Sequence, residues 1–123
     1  MSIVLLLAVA VAGGIGSGLR WTADALLSRV VAAGFPWAIL VVNVSGSFAL
    51  GMLTGASLGS PWPAVIGTGL LGGYTTFSTV SADSAVLWRE GRAREALANV
   101  LGTFALCVLA AAAGLAAGAV LSA

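Results

Sequence analysis

The sequence predicts an all-α membrane protein with four transmembrane helices, the third of them broken mid-membrane. Three observations carry that prediction. Hydrophobic residues make up 60% of the chain and charged residues 7%, with mean hydropathy +1.12, whereas a soluble domain carries about 25% charged residues. The length of 123 residues holds four crossings of about 20 residues each with short connections. Residues 1–123 therefore read as one domain with no soluble appendage. Finally, Gly72-Gly73-Tyr74-Thr75-Thr76-Phe77-Ser78-Thr79 interrupts an apolar segment with paired glycines and a hydroxyl cluster, poor material for a continuous helix. Within a bilayer such backbone persists only where protein groups, ions or enclosed water satisfy the freed N–H and C=O groups. Broken helices of that kind form ion sites, so the segment points to transport.

The elements follow in order. A first apolar run covers roughly 3–19, and Arg20, Asp24 and Arg29 punctuate what comes after it. It lacks a basic leader and reads as a retained first helix. Pro36 suits the first turn of a second helix over about 37–56. Ser57 to Pro63, with two prolines, reads as a loop. The third segment, about 64–88, contains the interruption, and a short hairpin over 89–95 leads into a fourth helix ending near Leu121. Trp37, Trp62 and Trp88 fall at predicted helix ends, and Trp21 fits the same interfacial belt. Small residues recur at intervals of four: Gly14 and Gly18; Ser47, Gly51 and Gly55; Gly114 and Gly118. That spacing lets helix backbones approach closely in lipid, within one chain or between subunits. Four short helices are few to enclose a polar path, so an oligomer is expected.

Composition excludes several functions. The net charge of +1 offers no nucleic-acid footprint. Without histidine, paired carboxylates or a second cysteine beside Cys107, an enzyme is not expected. A small multidrug exporter needs an acidic residue within its first helix, and residues 3–19 contain none. A proton-carrying rotor subunit needs a mid-helix carboxylate, and the one candidate, Asp83, lies near a predicted interface. Asn43 is the strongest polar residue of the second helix, followed by Ser45 and Ser47. Its amide offers donors and an acceptor, for interhelical bonding or for an ion.

Residues 42–51, Val-Asn-Val-Ser-Gly-Ser-Phe-Ala-Leu-Gly, and 69–79, Gly-Leu-Leu-Gly-Gly-Tyr-Thr-Thr-Phe-Ser-Thr, together resemble the signature of the Fluc/CrcB fluoride channel family. Residues 13–21, Gly-Gly-Ile-Gly-Ser-Gly-Leu-Arg-Trp, are similar to that family's first-helix pattern. The resemblance spans the whole chain. It implies a fluoride-selective channel of the cell membrane, passing fluoride passively out of the cytoplasm, built as an antiparallel dimer of four-helix subunits. It further implies a structural Na+ at the dimer centre, held by the backbone carbonyls of Gly72 and Thr75. A kink hydrated by enclosed water is the alternative reading of that break. By the same resemblance Asn43 and Phe77 contact fluoride, and Thr76, Thr79, Ser81 and Thr103 extend a hydroxyl track. Asn99 stands where tyrosine is common. Arg20 and Asp83 are carried over as vestibule or interfacial charges that either pair with each other or act separately.

Two departures from the family pattern stand out. A phenylalanine usually follows three residues after Phe77, and here Val80 occupies that place. In a four-helix topology, moreover, Arg20, Arg29, Arg89, Arg92 and Arg94, the chain's five basic residues, all fall on one side. That bias predicts a single orientation with those hairpins cytoplasmic. The partner subunit is thus either a second copy or an oppositely oriented homologue, and both departures favour the homologue. A non-conducting or orientation-fixed subunit of such a heterodimer is the alternative function.

Overall fold

The computed structural model describes residues 2–56, 59 and 61–123. Part of the predicted 57–63 loop, at 57, 58 and 60, lies outside them. All regular structure among the described residues is helical: α1 (Ile3–Leu27), α2 (Trp37–Gly55), a π-wound segment (Ala64–Leu71) running into the short α3 (Gly72–Tyr74), then α4 (Ser78–Arg89) and α5 (Ala93–Leu121). Three of these, α1, α2 and α5, are long and apolar enough to cross a membrane.

Helix α1 starts on Ser2, whose hydroxyl accepts the Leu5 N–H at 3.2 Å and satisfies one of the orphan donors of the first turn. It runs two turns beyond the expected end at Leu19. No glycine or proline interrupts 19–27, and the polar side chains there find partners without leaving helical geometry. Thr22 bonds back to the Gly18 carbonyl at 2.9 Å, and Arg20 reaches across to Gly73. Helix α2 starts immediately after Pro36.

Two close helix crossings organise the molecule. In the first, α2 packs along α5. A Cβ on Gly51 or Gly55 would overlap the carbonyl oxygens of Ala111 and Leu115, and one on Gly114 or Gly118 would overlap those of Phe48 and Met52. The i, i+4 glycines of both helices thus face each other, and backbone meets backbone. In the second, α1 packs on the π-wound segment and α3. A Cβ at Gly16 would strike the Leu70 carbonyl, and one at Gly73 the Gly13 carbonyl. The expected Gly14/Gly18 pair takes no part, since a Cβ on either meets nothing within 4 Å. Period four selects a stripe, and here the neighbouring stripe through Gly13 and Gly16 is turned inward.

Helix α4 lies on α5, joined by a tight turn at Gly91 with φ +77. The Gly91 N–H bonds the Trp88 carbonyl at 3.1 Å, and the Arg92 N–H bonds Leu87 at 2.9 Å, closing the paired carbonyl cap that a left-handed glycine makes possible. Arg92 pairs with Glu95 and, at 3.8 Å, with Glu90. Trp21, Trp37, Trp62 and Trp88 are all exposed, as the interfacial belt requires.

Candidate functional site

The chain between α3 and α4 is not helical. Thr75 is extended, with φ −81 and ψ 153, and its N–H and hydroxyl both donate to the Leu71 carbonyl at 3.0 Å. From there the backbone turns toward α2, and Asn43 holds it. The Asn43 Nδ2 donates to the Thr76 carbonyl at 2.8 Å, and the Thr76 N–H donates to Asn43 Oδ1 at 2.8 Å. One side-chain amide thereby replaces a rung of peptide pairing. Asn43 is 5% exposed, so these bonds are shielded from competing solvent. Gly46, one turn along α2, admits the Thr75 methyl into the space its own Cβ would fill. Helix α4 then restarts after Phe77, and the Thr76 hydroxyl just ahead of it accepts the Thr79 N–H at 3.2 Å, satisfying one donor of the first turn.

This rewiring diverts donors from two carbonyls. In a continuous helix the Thr76 N–H would serve Gly72, and the Thr79 N–H would serve Thr75. Here they serve Asn43 and the Thr76 hydroxyl. No hydrogen bond reaches the Gly72 or Thr75 carbonyl among the described residues. The Gly73 carbonyl between them accepts from Ser17 Oγ and Arg20 Nε, both at 3.4 Å. The Gly72 and Thr75 oxygens, three residues apart and, like that of Tyr74, without a donor among the described residues, are of the kind a small hard cation takes, so the residues are compatible with the sodium expectation.

A cavity of about 230 Å³ opens beside the interruption, lined by Asn43, Ser47, Thr75, Thr76, Phe77 and Thr103, with Phe104 and Cys107. None of these side chains is charged. Four of the residues expected on the fluoride path are brought together here: Asn43, Thr76, Phe77 and Thr103. Asn43 keeps one N–H beyond the one given to Thr76. Phe77 is 59% exposed and presents its ring on the outside of the subunit.

The other two expected hydroxyls do not line this cavity, although Thr79 is joined to it by the Thr76 hydroxyl, which donates to Thr79 Oγ1 at 3.3 Å. Thr79 borders a different cavity of about 360 Å³, shared with Asp24, Ser28 and Asp83, and Ser81 is exposed on α4 and lines neither cavity. Helical rotation of about 100° per residue separates residues that look like one track in sequence. Arg20 does not pair with Asp83. Its Nε goes to the Gly73 carbonyl, and the ion pairs among the described residues are those of Arg92. Val80 is 1% exposed. It is packed inside the subunit rather than standing in the cavity wall as a smaller substitute for a ring.

A buried polar cluster joins α4 to α5. Ser84 donates to the Val80 carbonyl at 2.7 Å, Asn99 Nδ2 donates to Ser84 Oγ at 2.9 Å and to the Val80 carbonyl at 3.4 Å, and the Thr103 hydroxyl donates to Asn99 Oδ1 at 3.5 Å. Sequence reasoning left Ser84 unremarked. Its signal was a small hydroxyl on the inner face of α4, opposite an asparagine one hairpin away. Ser17 and Ser45, which bonds the Tyr74 hydroxyl at 3.1 Å, also went unassigned.

Long apolar helices packed through backbone crossings on glycine, beside an uncharged polar cavity, define a multi-pass α-helical membrane protein. The chain belongs to the family described as CrcB-like protein, Camphor Resistance (CrcB), which it matches over residues 7–115. It is 40% identical to fluoride-specific ion channel FluC 1 of Leifsonia xyli over 119 residues, covering 94% of this chain and 87% of that protein. It is 42% identical to fluoride-specific ion channel FluC of Chelativorans sp. over 110 residues, covering 85% and 88% respectively. Against fluoride-specific ion channel FluC of Rhodospirillum centenum the identity is 42% over 117 residues, covering 91% and 93%.

Proposed function

We propose that this chain is a subunit of a fluoride-selective channel that lets cytoplasmic fluoride leave the cell down its gradient. The observation that carries the reading is the Asn43–Thr76 pairing in the wall of an uncharged cavity, in a chain similar along most of its length to fluoride-specific channels. Fluoride is small and strongly hydrated, so a path must offer close donors in place of water. Asn43 supplies its remaining amide N–H. Phe77 supplies the positive edge of its ring, and the hydroxyls of Thr76 and Thr103 supply rotatable donors. A site without cationic side chains avoids holding the anion so tightly that it cannot leave. A narrow path of fixed donors discriminates against the larger chloride.

The 64–89 region is the remaining crossing, third in chain order and interrupted at mid-membrane. Because Phe77 is open to the outside of the subunit, its face is closed by a second subunit in an antiparallel dimer, whose two-fold axis brings two interruptions together. Residues 1–123 form the single channel domain. Gly72 and Thr75 would hold a structural Na+ there through their carbonyls, and a cation so held would tie the two interrupted backbones together. The ion is a staple rather than cargo.

A second reading has its own support. The one-sided arginines favour an orientation-fixed partner subunit within a heterodimer. Fluoride efflux from liposomes carrying the purified chain, read with a fluoride electrode and repeated with chloride, tests both. Fast fluoride loss with chloride retained supports a conducting homodimer. Flux that appears only after adding an oppositely oriented homologue supports the heterodimer. Silence in both cases overturns the channel reading.

A further inference from the structure

We propose that Asn99 is a positioning residue for fluoride passage, acting through the hydroxyl of Thr103 rather than by touching the ion. The inference rests on the channel reading above and names one more part of its path. Asn99 is 2% exposed and lies outside the lining of the Asn43 cavity, whereas Thr103 belongs to that lining. Both side chains lie on α5, one turn apart.

The hydrogen bonds divide the Asn99 amide into two halves with different tasks. Its Nδ2 is anchored firmly on α4, by Ser84 Oγ at 2.9 Å and the Val80 carbonyl at 3.4 Å, and Ser84 is itself fixed to Val80 at 2.7 Å. This anchoring sets which way the Oδ1 points, because an amide cannot present oxygen and nitrogen on the same side. The oxygen faces Thr103 and accepts its hydroxyl at 3.5 Å, at the long limit for an O–H···O bond.

A weak bond at that place has a use. A threonine within a helix otherwise turns its hydroxyl onto the carbonyl four residues back, where the proton is withdrawn from any neighbour. Thr22 and Thr54 both do this here, at 2.9 Å. Thr103 instead donates a long hydrogen bond to a side-chain oxygen. When an anion enters the cavity, the hydroxyl turns to it and loses little. When the anion moves on, the hydroxyl turns back to the Asn99 oxygen. Asn99 thus keeps a donor available on the cavity wall.

A double-substitution cycle read as fluoride efflux, on whichever dimer conducts, tests the assignment. Asn99→Leu and Thr103→Val are each expected to slow fluoride about tenfold, the order of one hydrogen bond to a charged group. The double substitution is expected to be no slower than Thr103→Val alone. Ser84→Ala, which loosens the anchor while leaving the oxygen, is expected to lower thermal stability more than flux. Asn99→Thr replaces Asn99→Leu should the latter not assemble, as judged by gel filtration in detergent. Independent, multiplying losses in the double variant would mean that Asn99 acts without Thr103, and unchanged flux in a folded Asn99 variant would equally overturn the proposal. In both cases the unsubstituted protein still conducts, so the channel reading stands. If the unsubstituted protein carries no fluoride, both fall.

Discussion

The amide of Asn43 commits its oxygen and one N–H to the Thr76 peptide, so fold and transport meet in one side chain and can be separated by substitution. Asn43→Leu removes both bonds and strands the Thr76 N–H and C=O. It is expected to destabilise the subunit by about 2–4 kcal/mol, read as an earlier thermal midpoint in detergent, and to abolish fluoride efflux. Asn43→Asp keeps an acceptor for the Thr76 N–H but offers the anion a carboxylate, so a folded protein without flux is expected. At Val80 the prediction runs against simple restoration of the family pattern. The position is sealed within the subunit, so Val80→Phe overpacks it, costing about 1–3 kcal/mol in the same melting assay, and adds no fluoride flux. The sequence named Asn43, Thr76, Phe77 and Thr103 as path residues, and these four share one cavity. It did not reveal which neighbouring hydroxyls lie off that cavity, Thr79 being linked to it through the Thr76 hydroxyl and Ser81 lining neither cavity. Thr79 and Ser81 lie three and five residues beyond Thr76, and only helix rotation after an irregular start decides their direction.

Helix boundaries were legible wherever a punctuating residue stands. Pro36 precedes α2 and Gly91 ends the turn between α4 and α5. Where no such residue stands the reading fell short, and α1 continues to Leu27 through Arg20 and Asp24 because both are polar without breaking a helix. The same contrast governs the glycine stripes. Spacing of four marked Gly51, Gly55, Gly114 and Gly118, and all four sit at the α2/α5 crossing. It marked Gly14 and Gly18 equally well, and both face open space. Substitution separates the two cases. Gly114→Ala is expected to force α2 and α5 apart, because the new methyl meets backbone that cannot rotate aside, at about 1–3 kcal/mol. Gly14→Ala, measured by the same thermal inactivation, is expected to leave the isolated subunit as stable as before. A loss of dimer on gel filtration with the Gly14 variant would then assign that stripe to the subunit interface.

At the level of the whole molecule, charge placement and backbone rewiring bear on how the chain sits in the membrane. Arg20 is held within α1 against the Gly73 carbonyl, so it weighs less on orientation than a basic residue at a helix end. The other four, Arg29, Arg89, Arg92 and Arg94, cluster at the two connections that follow α1 and α4. With four crossings, those connections share one side and both termini share the other, which carries no lysine or arginine at all. Basic residues near helix ends remain cytoplasmic, so the termini are expected outside. Cysteine tags placed at either terminus, in a Cys107→Ser background, should react with an impermeant thiol reagent applied to intact cells. Labelling that reaches only half of the chains until the cells are opened would mean both orientations coexist, as a homodimer of antiparallel copies needs. Moving the bias should move the protein: replacing Arg89, Arg92 and Arg94 by glutamine and adding three arginines after Ala123 is expected to invert the labelling. If the original orientation is uniform, an antiparallel dimer requires a different chain running the other way. Fluoride flux from the inverted variant mixed with the unsubstituted chain would then show that orientation alone had kept this subunit from pairing with itself.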